Sequence, residues 1–252
     1  MRQRIVLLWI LAIPLIWLAH LIGFMIHEYA HSITAWLLHY KANPLALNYG
    51  HLTAENILMQ SDIDENVDYG PIFAAGRGPL ASVIALAGVL IGNGLSYFVS
   101  RVSLQRETLR NKRVWGLFFF LLYIMSVGNF IDYVPVRTFT DHGDMATAAR
   151  GLNASPWVIA IGLGIPFALA LWRFFTRVLP EAEAFLFPDS RLSRKMLVLI
   201  TTFLVFFFFG SAGLRHYGAV SHWLSVISEA IFFPGVTLLC WFRRPPATRT
   251  AV

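Results

Sequence analysis

Two histidines and one glutamate near the start of the chain have the spacing of a metal-binding motif. Residues 27–31 read His-Glu-Tyr-Ala-His. On an α-helix, His27 and His31 project from one face, one turn apart, so both imidazoles could bind one tetrahedral metal ion. Glu28 lies beside them and could take a proton from a water bound to that ion, whose pKa zinc lowers to about 7. The motif therefore predicts a zinc site with a hydroxide nucleophile and Glu28 as its base.

The motif lies within an apolar stretch long enough to cross a membrane, which strengthens the metal interpretation. A carboxylate at the centre of a membrane helix costs about 2.5–3.5 kcal/mol on insertion scales, and such groups are usually functional. The alternative is a His/Glu cluster that only makes hydrogen bonds between helices or that lies in the headgroup region. His20 is about 10 Å from His27 along the helix, too far to bind the same ion. We expect it to make a polar contact with another element.

The composition of the chain is that of a membrane protein. Of its 252 residues, 57% are hydrophobic and only 13% are charged, against about 25% charged in soluble domains. The single cysteine, Cys240, excludes an intramolecular disulfide and a cysteine-based metal cluster. The net charge of +6 comes from short basic clusters between apolar stretches. These clusters fit the positive-inside rule, so we expect no nucleic-acid partner.

Six apolar stretches have about the length that a membrane-spanning helix requires. They are residues 5–38, 79–99, 114–131, 156–175, 196–214 and 222–241. The sequence thus predicts an all-α, multi-pass membrane protein with one membrane-embedded domain over 1–252. This domain would have a motif-bearing core at about 5–150 and additional helices at 156–241. The first stretch would be about 51 Å long as a helix and must tilt, kink near Pro14 or project beyond the lipid.

Charged residues alternate between the connecting segments. The segment 39–78 is acidic, whereas 101–113, 173–195 and 243–249 are rich in Arg and Lys. The positive-inside rule therefore predicts both termini in the cytoplasm and an even number of spans, in a plasma or inner membrane. A cleaved signal peptide at 1–19 is the alternative, but its apolar run exceeds the usual length of roughly 7–15 residues.

Three segments together resemble the motifs of the site-2 protease family of intramembrane zinc metalloproteases. That family has His-Glu-x-x-His in an early membrane helix, a central Gly-Pro-x-x-Asn/Ser/Gly motif and a later Asn-x-x-Pro-x-x-x-x-Asp-Gly motif. Here residues 27–31 match the first motif, and residues 78–82, Gly-Pro-Leu-Ala-Ser, match the second. The third match is approximate, because Asn129 stands six residues before Pro135. The resemblance covers residues 23–144.

The resemblance implies that an aspartate is the third zinc ligand, and two aspartates follow the third apolar stretch. Asp144 is preferred because it adjoins Gly143 and could begin a helical stretch at 145–149. Asp141, three residues earlier, is the alternative. The resemblance also implies that Asn129 lies near the reacting peptide, so we assign it to oxyanion or substrate contact.

A small sheet beside the active site is a further expectation from the resemblance. It would be an extramembrane or re-entrant β segment within residues 41–75, after the first helix. A free sheet edge there could hold an extended substrate by strand addition. A solvent-facing loop is the alternative that the sequence leaves open.

The residues and the resemblance together predict an intramembrane zinc metalloprotease with one zinc per chain. Glu28 would activate a zinc-bound water to hydrolyse peptide bonds in membrane-associated protein or peptide substrates, with the lipid bilayer as the other partner. One alternative is another class of membrane metalloprotease with the same motif and a downstream glutamate ligand, for which Glu181 or Glu183 could serve. The other is a metal-binding membrane scaffold without turnover, in which Glu28 would have no role.

Overall fold

The computed structural model describes residues 2–110, 112–215 and 217–243. Within these residues, six helical spans are long and apolar enough to cross a membrane. Numbered 1 to 6 in chain order, the spans are Gln3–Leu37, Gly78–Gln105, Arg113–Phe139, Pro156–Leu186, Arg191–Leu214 and Ala219–Trp241. Each overlaps one predicted apolar stretch, so the prediction of an all-α, multi-pass membrane protein is confirmed.

Short helices lie in the connections between spans. They are Ala54–Met59 and Gly70–Ala74 before span 2, Glu107–Arg110 before span 3, and Gly143–Gly151 before span 4. The last of these carries Asp144 and is called the Asp144 helix below. The first helix, Arg2–Leu37, continues through Pro14.

Four spans contain a π-helical turn, which is wider than an α-helical turn and often occurs at functional sites. These turns are Gly88–Asn93 in span 2, Phe174–Val178 in span 4, Phe203–Phe208 in span 5 and Ser228–Phe232 in span 6. The turn in span 2 lies against span 1, beside the two histidines of the motif.

Span 4 is longer than the predicted stretch, which ended at residue 175. The additional residues include Arg177, Glu181 and Glu183, so hydropathy alone ends the stretch too early. The helix nevertheless continues because Leu179, Ala182 and Leu186 recur at helical spacing and are buried in the main core.

Span 3 is the centre of the bundle. It is the most buried of the six spans, while span 6 is the least buried. Its side chains pack against spans 1, 2, 4 and 5. The start of span 1 lies near the connection between spans 4 and 5, where Trp9 stacks on Phe187 at 4.9 Å and donates to Ser193. Lys195 in turn lies over the ring of Trp241 at the end of span 6. The described ends of the chain are therefore at one end of the bundle.

The side of the membrane on which that end lies stays a prediction. Met1, Arg244, Arg249 and Val252, which belong to the predicted cytoplasmic termini, lie outside the described residues.

The predicted small sheet after span 1 is wrong for the described residues. The 38–77 segment contains a single antiparallel bridge between Asn48 and Asp64, and no strand. Turns with positive φ at Gly50, Gln60 and Asn66 interrupt an extended backbone. Side chains satisfy backbone groups that a sheet would otherwise pair.

Lys41 is the main example of such a side chain. Its Nζ atom donates to the carbonyls of Ala46, Glu65 and Asn66 at 2.7–2.9 Å. Two of these hydrogen bonds connect the beginning of the 38–77 segment to residues 65 and 66. Together the three take the place of the backbone hydrogen bonds that the expected sheet would have made.

The 38–77 segment also runs back along span 1. Trp17 donates its indole N–H to the carbonyl of Ile57 at 2.9 Å, and His20 is hydrogen-bonded to Gln60 at 2.6 Å. At a rise of 1.5 Å per residue, His20 lies about 25 Å before Leu37, the end of the span. The polar contact predicted for His20 is thus made with this segment.

Candidate metal centre

Three side chains from distant parts of the sequence meet beside span 1. His27 Nε2 and His31 Nε2 are 3.0 Å apart, and each is 3.3 Å from Asp144 Oδ2. Both histidines are nearly fully buried, and the Asp144 side chain is 18% exposed. One possible ligand atom from each residue therefore faces a common point, which makes the group a possible metal site.

The hydrogen bonding of His31 shows which of its nitrogens is free to bind a cation. Its Nδ1 atom lies 2.7 Å from the carbonyl oxygen of Ile84 in span 2. A carbonyl only accepts, so Nδ1 carries the proton and the Nε2 lone pair of neutral His31 points at His27 and Asp144. Acceptor atoms at 3.0–3.3 Å repel one another unless a proton or a metal ion lies between them. The donor set thus fits a cation.

Two glycines of span 2 allow the helix to approach the histidines closely. A Cβ atom on Gly88 would overlap the Nε2 atoms of both His31 and His27, at 2.5 Å from the latter. A Cβ on Gly92 would lie 2.7 Å from the Cα of His27. Gly88 and Gly92 form a Gly-x-x-x-Gly pair, a pattern by which membrane helices pack closely. This signal in the sequence could have located the helix that covers the motif.

The ring of Tyr133 covers the other side of His27. The two rings stack with centroids 4.8 Å apart and planes inclined by 26°. Tyr133 is the last residue of the α-helix Arg113–Tyr133 in span 3, so the central span contacts the site directly.

The residues at the start of span 2 hold the Asp144 helix in place. A Cβ on Gly78 would be 2.8 Å from the carbonyl oxygen of Gly151, which shows how close the two backbones are. Ser82 donates from Oγ to the carbonyl of Ala148 at 2.8 Å. The Gly-Pro-Leu-Ala-Ser motif of residues 78–82 therefore contributes to the site by positioning the element that carries the third side chain.

Asp144 is suited to serve as an anionic ligand. Burial opposes its ionisation, but when no cation is bound the charge of a protonated His31 and hydrogen bonding to both imidazoles hold the pKa of Asp144 well below its usual value. The carboxylate is therefore ionised at neutral pH.

Asp141, the alternative third ligand, points away from the two histidines. Its side chain is 96% exposed and lies 2.7 Å from Nδ1 of His142, on the adjacent residue. The structure thus brings Asp144, and not Asp141, next to His27 and His31.

The remaining predicted site residues differ in their distance from this centre. Glu28 is buried, at 5% exposure, and interacts electrostatically with His31 and Asp144. Asn129 donates its side-chain amide to the carbonyl of Met125, one turn earlier on the same helix. Glu183 pairs with Arg243 at 2.7 Å, at the opposite end of the bundle from the end of span 1. Neither Glu183 nor Glu181 is part of the described metal cluster.

Sequence reasoning missed two charged groups near the centre. Glu65 of the 38–77 segment accepts a hydrogen bond from Tyr69 at 2.9 Å and interacts electrostatically with His31 and Asp144. Burial raises the pKa of Glu65. The sequence shows it only as one of several acidic residues in a polar segment, so no pattern singles it out.

Arg137 is the second missed group. It pairs with the buried Asp132 at 3.5 Å and lies over the rings of Tyr133 and Tyr217, at 4.7 and 5.2 Å from their centroids. Its guanidinium approaches Gly143, the residue before Asp144. A charged pair at the end of an apolar span is a signal that could have found it.

No protein-family model matches the chain, and neither the curated proteins nor the solved structures contain a significant match to it.

Proposed function

We propose that this chain is an intramembrane zinc metalloprotease of the kind that the site-2 protease family represents. The observation that carries the proposal is the spacing of the three ligand atoms. Zinc bonds to imidazole nitrogen and carboxylate oxygen are about 2.0–2.2 Å long, so tetrahedral geometry separates two such ligands by about 3.3–3.6 Å. The observed separations are 3.0, 3.3 and 3.3 Å.

His27, His31 and Asp144 would hold one zinc ion per chain and leave a position free, as in catalytic zinc sites. When bound, zinc would polarise a substrate carbonyl and activate a water molecule. Glu28 follows His27 directly and would act as general base, taking a proton from the attacking water and giving it to the leaving amine. His31 is held in the ligating tautomer by the Ile84 carbonyl.

The location of the motif supports a substrate in or at the membrane. The candidate site lies within a bundle of six apolar spans, and its histidines are buried between spans 1, 2 and 3. Substrates would therefore be membrane proteins or membrane-associated peptides. Cytoplasmic termini belong to the same proposal because they rest on the Arg and Lys distribution, and a plasma or inner membrane is the location that we propose with them.

The first test measures metal in detergent-purified protein. Elemental analysis of the wild type should find about one zinc per chain, and His27→Ala should lose most of it because a ligand is removed. His222→Ala, which changes an exposed histidine in span 6, is the matched control and should keep its zinc. Absence of a stoichiometric transition metal from the wild type would refute the metal centre.

The second test measures proteolysis. Membrane fractions of cells that produce the wild type or Glu28→Gln should be compared by mass spectrometry for new peptide termini within apolar segments. The variant keeps every proposed ligand, so its zinc content should be normal while these termini disappear. Glu107→Gln, an exposed change in the connection before span 3, should behave as the wild type. Identical termini in all three samples would refute the protease and leave the metal centre standing.

A further inference from the structure

A large apolar cavity lies on the side of span 3 that faces away from span 1. Its volume is about 650 Å³. Spans 3, 4, 5 and 6 all contribute to the lining, which is almost entirely aliphatic and aromatic; examples are Val134, Phe167, Phe206, Leu224 and Phe232. The helices on its two sides, spans 4 and 6, make few contacts with each other. The side chains of spans 4 and 6 therefore leave the space between the two helices unfilled.

One end of this cavity is polar and carries a positive charge. Arg243, just after span 6, lines it together with Thr176 and Cys240. Arg243 donates from Nη1 to the carbonyl of Phe175 and from Nη2 to Glu183, both at 2.7 Å. Phe175 belongs to the π-helical turn of span 4. Because a guanidinium has five N–H donors, Arg243 has donors left for a further acceptor.

The surroundings of Arg243 favour a negatively charged ligand. The segment 173–195 and Arg243 together hold six Arg and Lys residues against three acidic residues. Glu183, the partner of Arg243, is one of these three acidic residues, so the net charge of this region is positive even with that pair counted. Basic sites between membrane helices on one face of the bilayer are typical binding sites for anionic lipid headgroups.

The size of the cavity distinguishes between an acyl chain and a helix. A helix about 10 Å across that crosses the bilayer over about 30 Å occupies roughly 2,400 Å³. The cavity is several times smaller, and it falls in the range of about 300–1,000 Å³ that suits a small flexible ligand.

We propose that the cavity between spans 4 and 6 binds an anionic phospholipid, with an acyl chain among the apolar side chains and the phosphate on Arg243. The lipid would fill the gap between two helices that otherwise meet mainly through the bonds of Arg243. The other end of the cavity is formed by Val134 and Pro135, directly after Tyr133, so the bound chain would also support the part of span 3 that stacks on His27. This proposal does not depend on zinc or on proteolysis.

Native mass spectrometry of the full chain tests the headgroup. The protein should be released from mixed detergent micelles that contain equal amounts of phosphatidylglycerol and phosphatidylcholine. We expect one phosphatidylglycerol per chain, retained over phosphatidylcholine by about tenfold, because the quaternary ammonium of phosphatidylcholine would add a positive charge beside Arg243. Equal retention of the two lipids would overturn the proposal.

Two variants assign the headgroup to Arg243. Removing Arg243 alone would leave Glu183 without its partner, so the double variant Glu183→Gln/Arg243→Gln is used. It should abolish the preference for phosphatidylglycerol while it leaves the circular dichroism spectrum unchanged. Arg191→Gln removes an exposed positive charge from the same end of the bundle and should keep the preference. Retention of the preference in the double variant would exclude Arg243 as the headgroup site, and loss in both variants would show a general charge effect; either result would overturn the proposal.

The acyl chain is tested through Ala168 and Cys240, which both line the cavity. Ala168→Trp should fill part of the space and lower lipid retention severalfold, whereas Ala160→Trp in the same span, outside the lining residues, should not. Phosphatidylglycerol should also slow alkylation of Cys240, the single cysteine, by N-ethylmaleimide more than phosphatidylcholine does. If a single-span hydrophobic peptide protects Cys240 and phosphatidylglycerol does not, the occupant is a helix and the proposal is wrong.

Discussion

At the scale of single residues, the candidate centre depends on which atoms carry hydrogen. The bond from His31 Nδ1 to the Ile84 carbonyl leaves Nε2 without a proton in the neutral ring, and Asp144 adds a second acceptor 3.3 Å away. Such a group of buried acceptors is unfavourable by itself and favourable around a cation. The same atoms that would destabilise an empty site therefore increase its affinity for metal.

The third ligand gives the first prediction at this scale. Asp144→Ala should lower the zinc content of purified protein and abolish proteolysis, because an anionic ligand is lost. Asp141→Ala should retain zinc, because the Asp141 side chain is exposed and lies against the adjacent His142 instead of the two histidines of the motif. Elemental analysis of both variants, with the wild type alongside, checks this. Zinc loss in Asp141→Ala with retention in Asp144→Ala would reverse the assignment.

A second prediction concerns the space in front of the histidines. Gly88→Ala should reduce zinc binding at least severalfold, because its Cβ would overlap the Nε2 atoms of both imidazoles. Gly94→Ala is the matched control, since a Cβ there meets no atom within 4 Å. The control should be as stable as the wild type or more stable by up to about 1 kcal/mol, the usual gain in a helix. Equal zinc affinity in the two variants would contradict the predicted overlap.

At the scale of elements, the contact between span 2 and the Asp144 helix determines where the third side chain lies. Gly78 and Gly151 bring the two backbones together, and Ser82 bonds to the Ala148 carbonyl. None of these contacts of residues 78–82 involves His27 or His31. Their effect on the metal centre is to fix the position of Asp144.

Gly151→Ala tests this arrangement. The added methyl group would overlap Ser82 Oγ and the Gly78 carbonyl, so the Asp144 helix should shift and zinc affinity should fall while all ligands remain. Gly162→Ala, in span 4 with open space around the Cβ position, is the control. Zinc titration against a competing chelator and thermal unfolding should be measured together. Unchanged affinity in Gly151→Ala would show that Asp144 reaches the site without this contact.

The sequence predicts those parts of the molecule that depend on local periodicity. Hydropathy locates the six spans, and the four-residue spacing places His27 and His31 on one face of a helix. The choice between Asp144 and Asp141 depends on where a helix starts after Gly143 and on its packing against span 2, which no local pattern specifies. Glu65 and the turns that replace the expected sheet lie in a segment without periodicity, so they depend on tertiary contacts such as those of Lys41.

At the scale of the whole molecule, six spans return the chain to the end of the bundle at which it started. Reporter fusions at Met1 and at Val252 should therefore give the same signal, and the Arg and Lys distribution predicts that this signal is cytoplasmic. A reporter inserted in the 38–77 segment should give the opposite signal. Opposite signals from the two termini would contradict an even number of spans.

The 38–77 segment has a consequence for the supply of water. Hydrolysis in a bilayer needs water as its second substrate, and hydrocarbon excludes it. This segment starts after Leu37 and runs back along span 1 as far as His20, with which Gln60 is hydrogen-bonded. It therefore passes the level of His27 and His31, which lie between His20 and Leu37. Peptide groups that are unpaired in such a segment must be hydrated. Water that solvates the segment would therefore already be present at the depth of the metal centre, so the proposed reaction would not require a separate channel through the apolar spans.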